Sequence, residues 1–213
     1  MPVEVKICGL NTPASVEASV AAGADMVGFN FFAKSPRFVS INEAASLASS
    51  VPDSVLSVGV LVNPDNELLS RILSDVPLDL VQLHGDEPPD RVAEIRARFG
   101  KPVMKVVKVA EADDLAQVKP YTEIIERLMF DTKPPKDATL PGGNAKAFDW
   151  TILKGFRFDK PWLLAGGLTV DNVATAIRLT GAPGVDTASG VEDRPGVKNS
   201  QKIRQFIAAA GKR

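Results

Sequence analysis

The sequence predicts a single (βα)8 barrel, and three observations carry that prediction. About eight short apolar runs rich in β-branched residues recur along 213 residues, and most are apolar on both faces. Segments of helical period with recognisable starts separate them. No shift in composition marks a linker or a second domain, so one domain is expected over 1–213. A strand apolar on both faces belongs to a parallel sheet, because crossover helices cover that sheet on either side. About eight such units in a chain of this length close most economically as a barrel. An open doubly wound sheet uses the same alternation but rarely needs eight strands.

In chain order the strand candidates are VEVKIC, MVGFNFF, SVLSVGVLV, LDLVQLH, PVMKVVKV, RLMFD, WLLAGG and GVDTASG. Thr12 before Pro13, and Asn63 before Pro64, each pair a capping residue with proline at the first helical position, where its missing N–H is harmless. Ser40 followed by Glu43 reads as a capping box ahead of AASLA. Val92, Ile95 and Phe99 share one face of DRVAEIRARF, and Ile203, Phe206 and Ile207 share one in the last segment. The stretch TKPPKDATLPGGNAKAFDW exceeds the usual loop of about two to six residues. Its prolines and the Gly142–Gly143 pair predict a flap that excludes water from the barrel mouth, with an idle loop as the alternative.

Composition narrows the function. The chain carries 25 basic and 26 acidic residues, a net charge of −1, with no long basic run to bind nucleic acid. Any anionic ligand must therefore be held locally. A lone cysteine cannot form an intramolecular disulfide, and MPVEVKICGL has none of the features of a secretory signal, so a cytoplasmic location is expected. No apolar stretch approaches the roughly 20 residues of a membrane span.

In either α/β architecture ligands bind beyond the carboxyl ends of the strands. The residues at those ends are Cys8, Asn30, Asn63, His84, Lys108, Asp131, Gly166 with Gly167, and Asp186 with Ser189. Caps and turns explain some of them, but not a thiol, two aspartates and paired glycines. Gly166, Gly167, Ser189 and Gly190 lie where barrels often build a phosphate site from exposed N–H groups, although the glycines also suit tight turns. Cys8 alone reads equally as a buried small hydrophobe. A carboxylate ending an apolar strand, as Asp131 does, is costly unless paired or used, a helix cap being the other use. Arg37 in KSPRF either grips a carboxylate bidentately or is an ordinary solvated arginine.

Taken together, KICGL, GADMVGFNFFAKSPRFVS, VGVLVN, VQLHGDE, FDT, PGGNAKAFDW, LAGGLTVDNV and GVDTASGVEDRPGVKN resemble, in order and spacing, the phosphoribosylanthranilate isomerase family of tryptophan biosynthesis. The resemblance implies a (βα)8 TIM barrel performing an Amadori rearrangement on a small phosphorylated substrate. It implies no metal or organic cofactor, no nucleic acid or membrane partner, and a monomer or weak homodimer. Carried over residue by residue, Cys8 is the general base and Asp131 the general acid. Arg37 meets the anthranilate end, Gly166, Gly167, Ser189 and Gly190 hold phosphate, and Asp186 positions substrate. A carboxylic acid at its reference pKa of about 3.9 is protonated in only about one molecule in a thousand at pH 7, and a thiol near 8.5 is mostly neutral. The surroundings must therefore favour the protonated form of the acid and the ionised form of the base; a polar or positive environment is expected around Cys8. Gly9 is expected to leave space beside the thiol.

Some residues depart from the family pattern. GGNA, with Asn144 and Ala145, stands where Gly-Gly-Thr-Gly is common, Thr187 replaces an aliphatic residue, and Ala188 replaces a Ser or Asn and offers a phosphate no hydroxyl. Asn30 is either a substrate contact or a local hydrogen-bonding residue. Other phosphosugar barrels share the glycine segments, but ribulose-phosphate epimerases need metal ligands, and His84 is the sole histidine. Neither they nor indole-glycerol-phosphate synthases account for Cys8 with Asp131 and Arg37. A barrel that only binds phosphorylated ligands has no need of the acid and base.

Overall fold

A computed structural model describes residues 3–133 and 148–211. Eight parallel strands close into a barrel in chain order: β1 (Glu4–Cys8), β2 (Met26–Asn30), β3 (Leu56–Leu61), β4 (Leu80–Leu83), β5 (Val103–Val109), β6 (Arg127–Thr132), β7 (Trp162–Leu164) and β8 (Gly184–Thr187). Helices α1 (Pro13–Ala21), α2 (Ile41–Ala48), α3 (Asn66–Asp75) and α4 (Pro89–Phe99) follow the first four strands; α5 (Val173–Thr180) follows β7 and α6 (Ser200–Ala209) follows β8. The barrel expectation holds, and the open sheet is excluded because β1 pairs with β8. The crossovers after β5 and β6 carry 3₁₀ segments, Ala112–Tyr121 and Trp150–Leu153. Pro120 in the former has no N–H to continue a helix. An antiparallel pair absent from the sequence reading, β9 (Glu192–Arg194) with β10 (Val197–Lys198), sits between β8 and α6. The expected flap lies largely outside the described residues, as do Gly142, Gly143, Asn144 and Ala145. Among the described residues no helix is long and apolar enough to cross a membrane.

Alternation along each strand sorts the side chains into two cores. Val5, Ile7, Val27, Phe29, Val81, Val103, Phe130, Leu164 and Val185 face outward and pack under the helices. Met26, Val58, Leu80, Met104, Val106, Met129, Leu163 and Ala165 fill the barrel interior. Cys8 and Lys6 share a parity, as do Asp131 and Met129, so strand geometry itself turns these polar groups into the interior.

The helix starts test the capping arguments. Thr12 and Ser40 cap α1 and α2 with reciprocal boxes through Ser15 and Glu43, as expected from sequence. Asn63 does not cap α3. Its backbone is left-handed, at φ 46°, and its Oδ1 accepts the Asp86 N–H at 2.9 Å. Asp65 is the cap, with Oδ1 accepting from Leu68 N at 2.7 Å. A carboxylate at a helix N-terminus also opposes the helix dipole, a preference that an Asn-Pro rule does not weigh. Asp65→Ala is expected to lower stability by about 1 kcal/mol, or roughly 2–4 °C in melting temperature. Thermal unfolding measures it, and an unchanged midpoint would remove Asp65 as the cap.

Candidate active site

One cavity opens at the carboxyl ends of the strands and encloses about 730 Å³ of non-atom space, including its open mouth. Cys8, Arg37, Asp131, Gly166, Gly167, Asp186 and Ser189 all line it. Gly190 does not line it; a Cβ there would strike the Leu168 carbonyl oxygen, so this glycine lets one loop lie against the other. Lys108 is also outside the lining and pairs with Asp86 at 2.8 Å.

On the β1 side, Lys6 Nζ donates to Asp186 Oδ1 at 2.7 Å, with Lys6 wholly buried. Cys8 stands opposite Gly28 in the β1–β2 register. A Cβ on Gly28 would lie 3.1 Å from Cys8 Sγ and 3.2 Å from Lys6 Nζ, so its absence makes room for both. Burial is the largest influence on the thiol and pushes it above its ordinary range; the Lys6 charge opposes this, Asp186 reinforces it, and Lys198 opposes it. The positive surroundings expected from sequence exist, but in this state desolvation outweighs them. Lys6 also feels burial first, which disfavours its charge, yet Asp186 and Cys8 more than offset this and hold the ammonium above the usual lysine range. Gly9 plays a different part from the one expected: its φ is 72°, and a Cβ there would lie 2.5 Å from Arg37 Cδ. The space it leaves admits the arginine.

Arg37 is not a solvated arginine; it is 6% exposed. Its Nε and Nη2 donate to Glu192 Oε1 and Oε2 at 2.7 and 2.8 Å, a bidentate fork. Lys198 Nζ donates to Glu192 Oε1 at 2.7 Å and to Ala188 O at 2.9 Å. The β9–β10 hairpin therefore holds the arginine that the β2 loop delivers. Burial raises the Glu192 carboxyl, but the Arg37 hydrogen bond and the Lys198 charge prevail and keep it below the usual carboxylate range. Asn30 builds the same loop: its Oδ1 accepts from Phe32 N at 2.9 Å, and its Nδ2 donates to Ser35 Oγ, which accepts from Arg37 N at 3.1 Å. The local hydrogen-bonding reading of Asn30 is therefore the one observed, and the residue also lines the cavity.

Across the cavity, Asp131 Oδ1 accepts from Thr132 N at 2.7 Å, and Oδ2 lies 3.0 Å from His84 Nε2. A hydrogen bond of that length holds one proton, on the imidazole or on the carboxyl. Gln82 Nε2 is 3.4 Å from His84 Nδ1. A buried clasp fixes the loop after β4: Glu87 Oε1 accepts from Asn63 N and Gly85 N at 2.8 and 3.0 Å, and Lys105 Nζ donates to Glu87 Oε2 at 2.6 Å and to Gly85 O at 2.8 Å. His84 is thereby presented by a constrained turn.

The loops after β7 and β8 complete the wall. Gly166 and Gly167 adopt φ of 85° and 68°, a region that favours glycine. A Cβ on Gly166 would also meet the Thr132 backbone. Thr187 Oγ1 donates to Leu168 O at 2.8 Å and staples the two loops, which accounts for the hydroxyl where an aliphatic residue is common. Sequence reasoning missed Lys6, Gln82, Glu192 and Lys198. Lys6 left one signal, a charge at the parity of Cys8 inside an apolar strand.

A closed eight-stranded parallel barrel with a thiol, carboxylates, an imidazole and two glycine turns around one cavity defines a TIM-barrel enzyme. The family profile described as N-(5'phosphoribosyl)anthranilate (PRA) isomerase matches residues 5–209, and the chain belongs to that family; it is an isomerase of tryptophan biosynthesis. It is 58% identical over 210 residues to the N-(5'-phosphoribosyl)anthranilate isomerase of Paracoccus denitrificans, covering 99% of this chain and 98% of the relative. The phosphoribosyl anthranilate isomerase of Thermotoga maritima superposes with a TM-score of 0.87 at 37% identity, covering 98% of each chain. A phosphoribosyl anthranilate isomerase in complex with reduced 1-(o-carboxyphenylamino)-1-deoxyribulose 5-phosphate superposes at 0.85 with 36% identity and the same coverage.

The depressed Glu192 carboxyl has a pH consequence. A group ionising more readily when folded stabilises above its unfolded pKa of about 4.3 and loses that contribution as pH falls through the folded value. Glu192→Gln is expected to unfold at lower urea than wild type at pH 7, by about 3–5 kcal/mol because two buried cations lose their partner. The gap should narrow from about pH 5 downward. A gap independent of pH would assign the acid lability to other carboxylates.

Proposed function

We propose that this isomerase converts N-(5'-phosphoribosyl)anthranilate to 1-(2-carboxyphenylamino)-1-deoxy-D-ribulose 5-phosphate, with Cys8 as general base and Asp131 as general acid. One observation carries the reading: Cys8 at the end of β1 and Asp131 one residue before the end of β6 line a single cavity, and the glycine turns of β7 and β8 lie between them in the barrel order. A phosphate held at Gly166, Gly167 and Ser189 puts the ribose between the two groups. Gly190 supports these loops from beneath, and Asp186, anchored by Lys6, orients the sugar from the wall. Nη1 of Arg37 makes no hydrogen bond among the described residues, and its two N–H groups serve the anthranilate carboxylate while Glu192 holds the other edge.

The chemistry then follows. Asp131 donates a proton to the furanose oxygen, the C1′–O bond breaks, and the nitrogen lone pair forms a Schiff base. The Cys8 thiolate removes the C2′ proton, and the electron pair moves to give an enolamine, which tautomerises to the ketone. No atom is gained or lost. The His84 contact supplies a proton to share with Asp131, and the acid acts when that proton resides on its carboxyl. A free thiol as base requires a reducing compartment, which supports a cytoplasmic location.

Cys8→Ser and Asp131→Asn should each lower kcat by about 10²–10⁴ with an intact circular dichroism spectrum, followed by the loss of substrate fluorescence. Near-normal turnover in either folded variant would refute its role. Arg37→Ala should raise KM well beyond its effect on kcat, whereas an unchanged KM would count against the carboxylate contact.

A further inference from the structure

We infer that Lys6 is a positioning residue for the isomerisation: its ammonium, buried beneath the cavity, is the counter-ion that makes the Cys8 thiolate attainable while it anchors Asp186 in the cavity wall. The inference rests on the reading of Cys8 as base. Lys6 has no exposed surface and does not line the cavity, whereas Cys8 and Asp186 both do. It cannot touch substrate and must act through those two neighbours.

The geometry is set by register. Lys6 pairs with Asp186 across the β1–β8 seam, and Cys8 pairs with Gly28 on the other side of β1. Sγ and Nζ crowd the point where a Gly28 side chain would begin, 3.1 and 3.2 Å from it. A larger residue at position 28 would separate them.

Stability does not explain the lysine. The apolar part of this interior is Met, Val, Leu and Ala, and a buried ion pair is often matched or bettered by apolar residues of similar volume. Charge balance does explain it. Acting on Cys8 are Lys6 on its own strand, Asp186 on β8 and Lys198 on the hairpin; Arg37 lies beside Gly9, Glu192 holds both Arg37 and Lys198, and His84 and Asp131 stand across the cavity. Lys6 balances Asp186, and the single carboxylate of Glu192 is shared by Arg37 and Lys198. The near group is left with one positive charge in excess, which one thiolate neutralises. The thiol proton passes to water before substrate seals the cavity, and the ammonium keeps its own protons throughout. Burial and Asp186 push the thiol up while Lys6 pulls it down, so loss of Lys6 leaves only the opposing influences and Lys198.

Cys8 is the only cysteine, so iodoacetamide alkylation of the substrate-free protein reports its ionisation directly. Lys6→Met and Lys6→Gln, checked for folding by circular dichroism, should move the pH midpoint of alkylation upward by about one unit or more. The acid limb of the kcat profile should move with it, a shift that loss of the Asp186 anchor alone, which would act on KM, does not produce. Asp186→Asn should move the alkylation midpoint downward, which keeps the proposal testable if neither Lys6 variant folds. An unmoved midpoint in a folded Lys6 variant, or no fall in Asp186→Asn, would overturn the proposal. Full turnover in Cys8→Ser would instead undo the assignment of the base, while the alkylation midpoints still decide whether Lys6 controls the thiol.

Discussion

The pairing of β1 with β8 is the constraint on which the rest of this molecule depends. Four register pairs, from Glu4 opposite Gly184 to Ile7 opposite Thr187, close the sheet on itself. Closure fixes which parity of every strand faces inward, and with it the neighbours of each inward residue. Lys6 meets Asp186 because of this seam, and Cys8 is carried up to the same wall one pleat further on. A slip of one residue would turn the thiol and lysine toward the helices and bring Val5 and Ile7 inside.

The barrel interior changes character along its axis. Its middle is apolar and close-packed, contributing stability through burial of Met26, Val58, Met104 and Met129. Toward the carboxyl ends it becomes ionic with Lys6 on Asp186, and the ion pairs continue around it: Arg37 and Lys198 with Glu192 in the loop and hairpin above, and Lys105 with Glu87 on the outward face of β5. Desolvating those ions costs several kcal/mol each before their attraction is counted, so this end is not what a sequence selected for stability alone would contain. What it provides is pre-orientation. Groups already fixed by ion pairs need not reorganise when charge moves in a bound substrate.

The catalytic face also depends on pieces that are not strands. The β9–β10 hairpin supplies both the carboxylate that grips Arg37 and the lysine that ties Ala188. Thr187 and Gly190 bring the β7 and β8 loops together through the Leu168 carbonyl. Glu87 and Lys105 hold the turn that offers His84 to Asp131. Each device places a side chain that a loose loop would leave free, and so lowers the entropy lost when a ligand is positioned.

The order of apolar runs and helix starts was enough to determine an eight-unit barrel, because period and capping are local properties of the chain. The strand-end rule was enough to draw Cys8, Asp131, Gly166, Gly167, Asp186 and Ser189 to one face, and the structure brings these to one cavity, with Asn63 and Lys108 outside its lining. Local rules misread Asn63, because its partner Asp86 is 23 residues away, and they gave Gly9 the wrong neighbour. Only the tertiary structure decided that Arg37 is gripped by Glu192, 155 residues on, and that Lys6 meets Asp186, 180 residues on. Contacts across such separations depend on barrel register and closure, and neither leaves a periodic trace in the sequence.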